Sequence, residues 1–444
     1  MSFVEKIFNN MKGRSKSLNS LSNIKFGRFA EPTETDELYE LRTTAEDLYK
    51  AGNCLDAYVV FFNYLLLLGG PAVLLSVSED SSELDFKLLQ GSKVVCGTIG
   101  DKEVTAESVV AEFTGLNVAL MRFLLNRNCQ FAYSKFAVKG NSIVIRQRCP
   151  IKDLSPQAFS DMLSEIAITA DSCDQLLENE FEEIVPVDYE NIIPLKSREL
   201  KAKIEFLRSW IAECFSLLEE IESESQKSYI VLSCVFKILY LISPEGILLN
   251  QFRDILDIYM EYSPEEDNFS EVNYKMQEAL KKIAAYSDLE IEKSLYKTYC
   301  VFPELEYRTF NETAESFSTL LQLPVKCIEL RKDSLVIPMC EYIVGYHLYR
   351  QGMAAPAMEL LLIFWKTLNP EYFTALGFKE VYYDEASKEP FDTKGIMLAI
   401  DKINKKYAET YPLFEFNISH VDFSSPTDFA YTFLFEFKNL QITD

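Results

Sequence analysis

Two histidines, His347 and His420, are the only imidazoles in 444 residues, so chemistry that needs a histidine base has two places to sit. His347 follows Cys340 by seven residues, and on a helix both side chains would share a face, like a thiol beside its base. No orienting acid is read beside the pair, and the setting of Tyr346, Leu348 and Tyr349 marks a packed core position. His420 stands two residues before Asp422 in "LFEFNISHVDF", residues 413–423, whose alternation reads as a strand. There the two side chains share a face, which a surface hydrogen bond explains as well as an acid–base pair does. Carboxylates are too numerous for any other couple to stand out. No catalytic residue is assigned, and an enzyme is not expected.

Phosphate and metal chemistry find no better footing. "GTIG", residues 97–100, reads as a hairpin corner, and no GxxxxGK[ST] loop occurs. Glu265, Glu266 and Asp267 lack the alternating oxygen ligands of a calcium loop. The ten cysteines (54, 96, 129, 149, 173, 214, 234, 300, 327 and 340) contain no CxxC and no pair closer than 13 residues. They are expected to be free thiols in a reducing compartment, with no metal and no cofactor. The first 29 residues lack the apolar core of a signal peptide, which makes a cytoplasmic location the expectation.

One local constellation remains. In "IVIRQRC", residues 143–149, Val144, Arg146 and Arg148 project to one face of a strand, and Ile143, Ile145, Gln147 and Cys149 to the other. With Lys135 and Lys139 on the neighbouring strand, Arg146 and Arg148 form a small basic patch, readable as a docking site for an acidic segment or as a solvated strand face. The chain around it is acidic: 68 Asp and Glu against 44 Lys and Arg, a formal charge of −24. That balance excludes a nucleic-acid binder, whose affinity comes from cations on phosphates. A basic leader, residues 1–29, is the exception; it reads as a mobile arm or as a weak anchor.

The elements that would position these residues follow from hydrophobic period. "AYVVFFNYLLLLGGPAVLLSV", residues 57–77, is long enough to span a bilayer, but Gly69, Gly70 and Pro71 cut it. Upstream, Leu48, Gly52, Leu55, Val59, Phe62 and Leu66 keep a helical period, so a buried core helix is expected and no membrane span. A helix pair (34–49 and 53–68) leads to three antiparallel strands in "SELDFKLLQG", "KVVCGTIG" and "KEVTAESVVAEF". Then come a helix at 116–127, a hairpin turning at "KGNS", and a long helix capped by Ser155 and Pro156. The order over residues 45–182 is αβββαββα, followed by an acidic, Pro-bounded segment.

Beyond it, helices are expected at 197–222, 227–243, 246–262, 268–298 and 393–410 and from Ser425 onward, with 300–335 irregular. "LYKAGNCLDAYVVFFNYL", residues 48–65, is echoed by "LYRQGMAAPAMELLLIFW", residues 348–365, at an offset of 300, as a repeated helical hairpin or by chance. The fold class is therefore α+β, with a mostly helical second half.

The passage at 119–177, "ALMRFLLNRNCQFAYSKFAVKGNSIVIRQRC" onward, resembles the YbjN-type form of the type III secretion chaperone-like fold, a bacterial family. "IKFGRF" at 24–29 and "YFTALGFKEVYYD" at 372–384 are similar to a larger group that joins this domain to a helical half. The resemblance implies a chaperone-like domain at 30–180, an acidic linker at 181–194 and a helical domain at 195–444. It brings no catalytic residues. The expected function is a non-catalytic module that binds a protein or peptide, with a homodimer compatible. The alternative is an enzyme or small-ligand sensor with its pocket between the two halves.

Overall fold

The run at 57–77 resolves into two elements because its chemistry changes at the Gly-Gly-Pro break. The computed structural model describes residues 24, 26–27, 36–77, 83–115, 117–187, 192–261, 268–302, 310–351 and 353–442. Helix α1 (Asp36–Lys50) packs antiparallel on α2 (Cys54–Gly69). Gly70, Pro71 and Ala72 make one 3-10 turn, and Val73–Val77 continues as strand β1. Helix α2 is apolar almost all round because protein encloses it: Tyr58, Val60, Phe62 and Leu65 are buried. Its rings interlock, Phe62 with Phe86 at 5.1 Å and Tyr58 with Phe159 at 5.0 Å between centroids.

Strands β2 (Glu83–Gly91), β3 (Lys93–Gly100) and β4 (Glu103–Phe113) follow, then α3 (Val118–Asn128), β5 (Lys135–Lys139), β6 (Ser142–Pro150) and α4 (Pro156–Glu180). The sheet is antiparallel in the order β1-β2-β3-β4-β6-β5. Gly140, at φ +64°, takes the left-handed corner of the β5–β6 turn. One sheet face, carrying Phe86, Leu88, Val95, Ile99, Val104, Ile143 and Ile145, joins the core under α2 and α4. Ser155 caps α4 as its spacing predicts, accepting from the Ala158 amide.

The segment expected to be a linker is partly strand. Residues Ile184–Pro186 form β7 against the end of β4, and Ile193–Pro194 (β8) pairs with Tyr296–Lys297 (β9). Tyr299–Cys300 (β10) then pairs with β2. The chain accordingly divides into two compact units, the first running to Pro194 and taking back Tyr296–Glu304, the second formed by Leu195–Leu295 and Leu305 onward. The Gln90 carboxamide holds the returning segment as a strand edge would. Its Nε2 donates to the Phe302 carbonyl, and its Oε1 accepts from the Val301 and Phe302 amides, each at 3.0 Å.

The second unit is helical: α5 (Ser197–Glu219), α6 (Glu224–Lys237), a π-helical turn (Ile238–Ile242), α7 (Gly246–Met260), α8 (Phe269–Ala284) and α9 (Asp288–Lys293). After the returning segment come α10 (Phe310–Leu320), α11 (Gln322–Glu329), α12 (Asp333–Arg350), α13 (Ala355–Leu368), α14 (Pro370–Leu376), α15 (Thr393–Tyr407) and α16 (Pro426–Phe437). The helix expected at 268–298 breaks at Ser287, whose capping box starts α9 afresh. Among the described residues of 300–335, the part beyond Phe302 is mostly short helix, Phe310–Leu320 and Gln322–Glu329, rather than irregular. Residues 413–423 are not a strand; Ile418–His420 is a 3-10 turn.

The echo at 48–65 and 348–365 falls on two successive helices both times. Yet α1 packs on α2, while α12 and α13 both pack on α16. Gly352 lies outside the described residues, as do the leader up to Asn23 and the acidic run Glu265–Asp267. Among the described residues one helical stretch, Glu224–Ile242, is long and apolar enough to cross a membrane, and 78% of its apolar window is buried inside the protein.

Two expected outcomes test this architecture. Gln90→Leu should cost about 3 kcal/mol in urea unfolding, because three backbone groups lose their partners, and should speed hydrogen exchange at Val301 and Phe302. Unchanged exchange there would mean that the carboxamide does not hold the segment. The second concerns Glu165, which accepts from the Ala132, Tyr133 and Ser134 amides and the Ser134 hydroxyl. Partial burial opposes its charge, but these hydrogen bonds outweigh that and hold the carboxyl below its ordinary range. A depressed folded-state value adds stability above the unfolded carboxyl's pKa, and that stability is lost as pH falls through the folded value. Solvent screens this partly exposed carboxylate, so Glu165→Gln should cost about 1 kcal/mol at pH 7, with the deficit shrinking as pH falls below 4. A pH-independent deficit would contradict the assignment.

Candidate functional site

The basic patch is a charge ladder internal to the sheet. Arg146 lies opposite Glu107 of β4 on one side and Lys135 of β5 on the other. Lys139 Nζ stands 2.6 Å and Arg146 Nε 3.6 Å from the Glu107 carboxylate, and Arg148 is 2.7 Å from Glu103. Three of the four cations are thus paired across strands; Lys135 has no ion pair among the described residues. Val144, read on the same face as the arginines, is buried.

The histidines have structural surroundings. His347 is buried, with Nδ1 2.7 Å from the Ile343 carbonyl and Nε2 3.0 Å from the Ser316 hydroxyl, and its ring stacks on Phe317. The carbonyl fixes the proton on Nδ1, leaving Nε2 to accept from Ser316. Burial, with Glu341 and Cys327 adding to it, pushes the Cys340 thiol well above its ordinary value, away from thiolate chemistry. His420 pairs through Nδ1 with Glu436 at 2.7 Å, not with Asp422, because the 3-10 turn replaces the expected strand. All ten cysteines are free, and no cluster of three or more metal-ligating side chains occurs among the described residues.

What the structure does bring together lies wholly within the second unit. At the crossing of α6 and α12, Gly345 leaves no room for a side chain: a Cβ there would stand 2.8 Å from that of Phe236. This approach sets Lys237, the last residue of α6, beside Glu341, one turn before Gly345. Nζ lies 2.9 Å from Oε1 and 3.1 Å from Oε2, with both residues 7% exposed. Asn369, between α13 and α14, donates from Nδ2 to the same Oε1 at 3.0 Å. The ammonium also lies over the Trp210 ring of α5, 4.7 Å from its centroid. Trp210 is held in turn by Tyr372 at 5.0 Å, whose hydroxyl donates to the Leu241 carbonyl in the π-helical turn.

These groups line a cleft of about 520 Å³, within the range of small-ligand sites. Its buried lining includes Trp210, Cys214, Ser233, Cys234, Lys237, Glu341 and Asn369. Glu205, Glu213 and Glu371, all exposed, also line it. Contact with the Cys214 thiol, and then burial, raise the Cys234 thiol well above its ordinary value. Two polar atoms there have no protein partner and open onto the cleft, although their residues are mostly enclosed. Ser233 is 3% and Asn369 5% exposed, and among the described residues neither the Ser233 hydroxyl nor the Asn369 Oδ1 has a hydrogen-bond partner. The contrast with Ser228 on the same helix, which bonds the Glu224 carbonyl and Asn273, shows that a local partner is normally found.

None of these residues was singled out by spacing, because α5, α6, α12, the α13–α14 junction and the start of α14 supply them, from Glu205 to Glu371. The available signal was a lone charge in each of two apolar runs, Lys237 in "IVLSCVFKILYLI" and Glu341 in "VIPMCEYIVG". The chain matches no model of a known protein family, and no curated protein matches it.

Breaking the pair on one side should be far worse than removing it whole. Lys237→Met is expected to cost roughly 3–5 kcal/mol in urea unfolding by stranding the Glu341 carboxylate, and adding Glu341→Leu should recover most of that. A single-variant loss below about 1 kcal/mol would mean that the cleft floor is wet and the charges independent.

Proposed function

We propose that the chain is a non-catalytic binding protein whose helical unit receives a small ligand, or a side chain presented by a partner, in the cleft floored by Lys237, Glu341 and Asn369. The observation that carries this reading is the unpartnered Ser233 hydroxyl inside that cleft. The hydroxyl belongs to a residue only 3% exposed, has no protein partner and opens onto the wall of a ligand-sized cleft, which fits a group available to a ligand. The non-catalytic half of the reading is supported by the lining, where the Cys234 thiol is raised well above its ordinary value and Ser233 has no hydrogen-bond partner among the described residues. The π-helical turn directly after Lys237 also fits, since such turns are frequent at functional sites.

A protein-binding role for the first unit, drawn from its resemblance to chaperone-like domains, would use the sheet face that carries Arg146 and Arg148. It is the second reading, because Lys139, Arg146 and Arg148 already pair within the sheet.

Ser233→Ala tests the reading without knowledge of the ligand. If the hydroxyl serves binding rather than the fold, the alanine variant should melt close to the parent, within about 0.5 kcal/mol, because no bond inside the protein is lost. In a panel of small amines, carboxylic acids and amides, compounds that shift the Trp210 emission should bind it less tightly. Trp365, the only other tryptophan, is fully buried and supplies an internal reference. A loss of 1 kcal/mol or more in the variant would make the hydroxyl structural and remove the support for a binding cleft.

A further inference from the structure

Resting on that binding cleft, we infer that its ligand is an organic cation carrying an alkylammonium or guanidinium group. The lining holds four carboxylates, Glu205, Glu213, Glu341 and Glu371, and one ammonium, Lys237. Glu341 and Lys237 neutralise each other on the floor, so three carboxylates set the charge that an entering group meets. None of the three has an ion pair among the described residues; Glu213 is oriented by the Ser209 hydroxyl, which donates at 2.7 Å. The hydrogen-bonding character of the floor agrees with the charge. Because Asn369 turns its amide nitrogen to Glu341, its Oδ1 is the group left to bind, and a carbonyl oxygen only accepts. The hydroxyl of Ser233, a residue 3% exposed, has no protein partner, opens onto the cleft and can accept as well. A ligand rich in N–H donors satisfies both, whereas a carboxylate or phosphate would face an acceptor and three negative charges.

The apolar part of the lining gives the cation its second contact. Phe206 and Trp210 lie 5.8 Å apart, and Leu217, Ile337 and Leu368 extend the apolar surface. Rings of this kind attract cations through their faces and alkyl chains through their area. Lys237 over Trp210 shows the first of these within the protein itself. The cleft therefore suits a cationic head with an aliphatic arm, and its volume admits either a free amine or the end of a lysine or arginine side chain.

The test is calorimetric titration of the full chain with spermidine and agmatine, and with the blocked tripeptides Ala-Lys-Ala and Ala-Arg-Ala. Succinate serves as the anionic and 1,4-butanediol as the neutral counterpart, and Trp210 emission is read in parallel. At least one cationic probe should bind and shift the emission. Glu213→Gln with Glu371→Gln should weaken it tenfold or more. Glu219→Gln with Glu220→Gln, the same loss of charge on exposed carboxylates outside the cleft, should change affinity less than twofold. Tighter binding of the free amines names a small molecule, and tighter binding of the tripeptides names a presented side chain; either supports the cationic class. Binding of succinate or butanediol at Trp210 without the cations would overturn the class and leave the cleft a binding site. Equal weakening by both pairs of substitutions would reduce the effect to the overall charge of −24 and overturn the inference. Silence of every probe together with a destabilised Ser233→Ala would overturn the binding reading itself.

Discussion

The second unit is organised around one expensive arrangement, a lysine and a glutamate buried against each other where α6 crosses α12. Removing such charges from water costs several kcal/mol per ion, and attraction repays it only when geometry is tight and the remaining valences are filled. Each neighbouring feature serves that condition. Gly345 lets the two helices approach until Nζ reaches both carboxylate oxygens. Asn369 takes a further lone pair on Oε1, and Trp210 faces the ammonium. An apolar pair of similar volume would pack there with no such demands, so the ion pair is not explained by stability alone. What it adds is a fixed, polar, electrically neutral floor in an otherwise apolar helix crossing.

A floor of that kind makes an unusual cleft. Water-exposed polar groups are pliable and solvated, so a ligand gains little from them. Groups held by a buried network are already oriented, and a ligand that meets them loses less entropy on binding. The Ser233 hydroxyl and the Asn369 oxygen belong to this class: both sit on helices or helix ends, both belong to residues almost wholly enclosed, and the second is aimed by the hydrogen bond that its own nitrogen makes to Glu341. The same carboxylate thus balances Lys237 and orients the acceptor.

How much of this was legible in the sequence depended on the range of the interactions involved. Helix α2, its end at Gly69 and the Ser155 cap are consequences of neighbouring residues and read directly. Strand β1 was hidden, because Val73–Val77 continues an apolar run with no alternation to set its period. Strands β7 and β10 were invisible for a different reason: two or three residues form each, and their partners on β4 and β2 lie 71 or more positions away. Among the patch residues the strand face was readable from the period of two, but not that Glu103 and Glu107 come alongside. That required the order β4-β6-β5. The cleft was the least legible feature, since Trp210, Ser233, Lys237, Glu341 and Asn369 share no local pattern. Only the misfit of a charge within an apolar helix marked two of them.

Charge is handled in opposite ways in the two units, and the difference bears on what each can bind. With 68 acidic and 44 basic residues, many carboxylates must lack a cation, so unpaired acids alone identify nothing. On the sheet of the first unit three of the four patch cations are matched to acids of β4, which leaves that face close to balanced and little able to steer a charged partner. Around the cleft, the one cation is matched to the buried carboxylate and withheld from the exposed ones. Field lines from those exposed acids enter a cavity walled by low-dielectric rings and alkyl groups, where they are screened less than on open surface. The same three charges that would be incidental on a convex helix face therefore become selective at the mouth of a concave one.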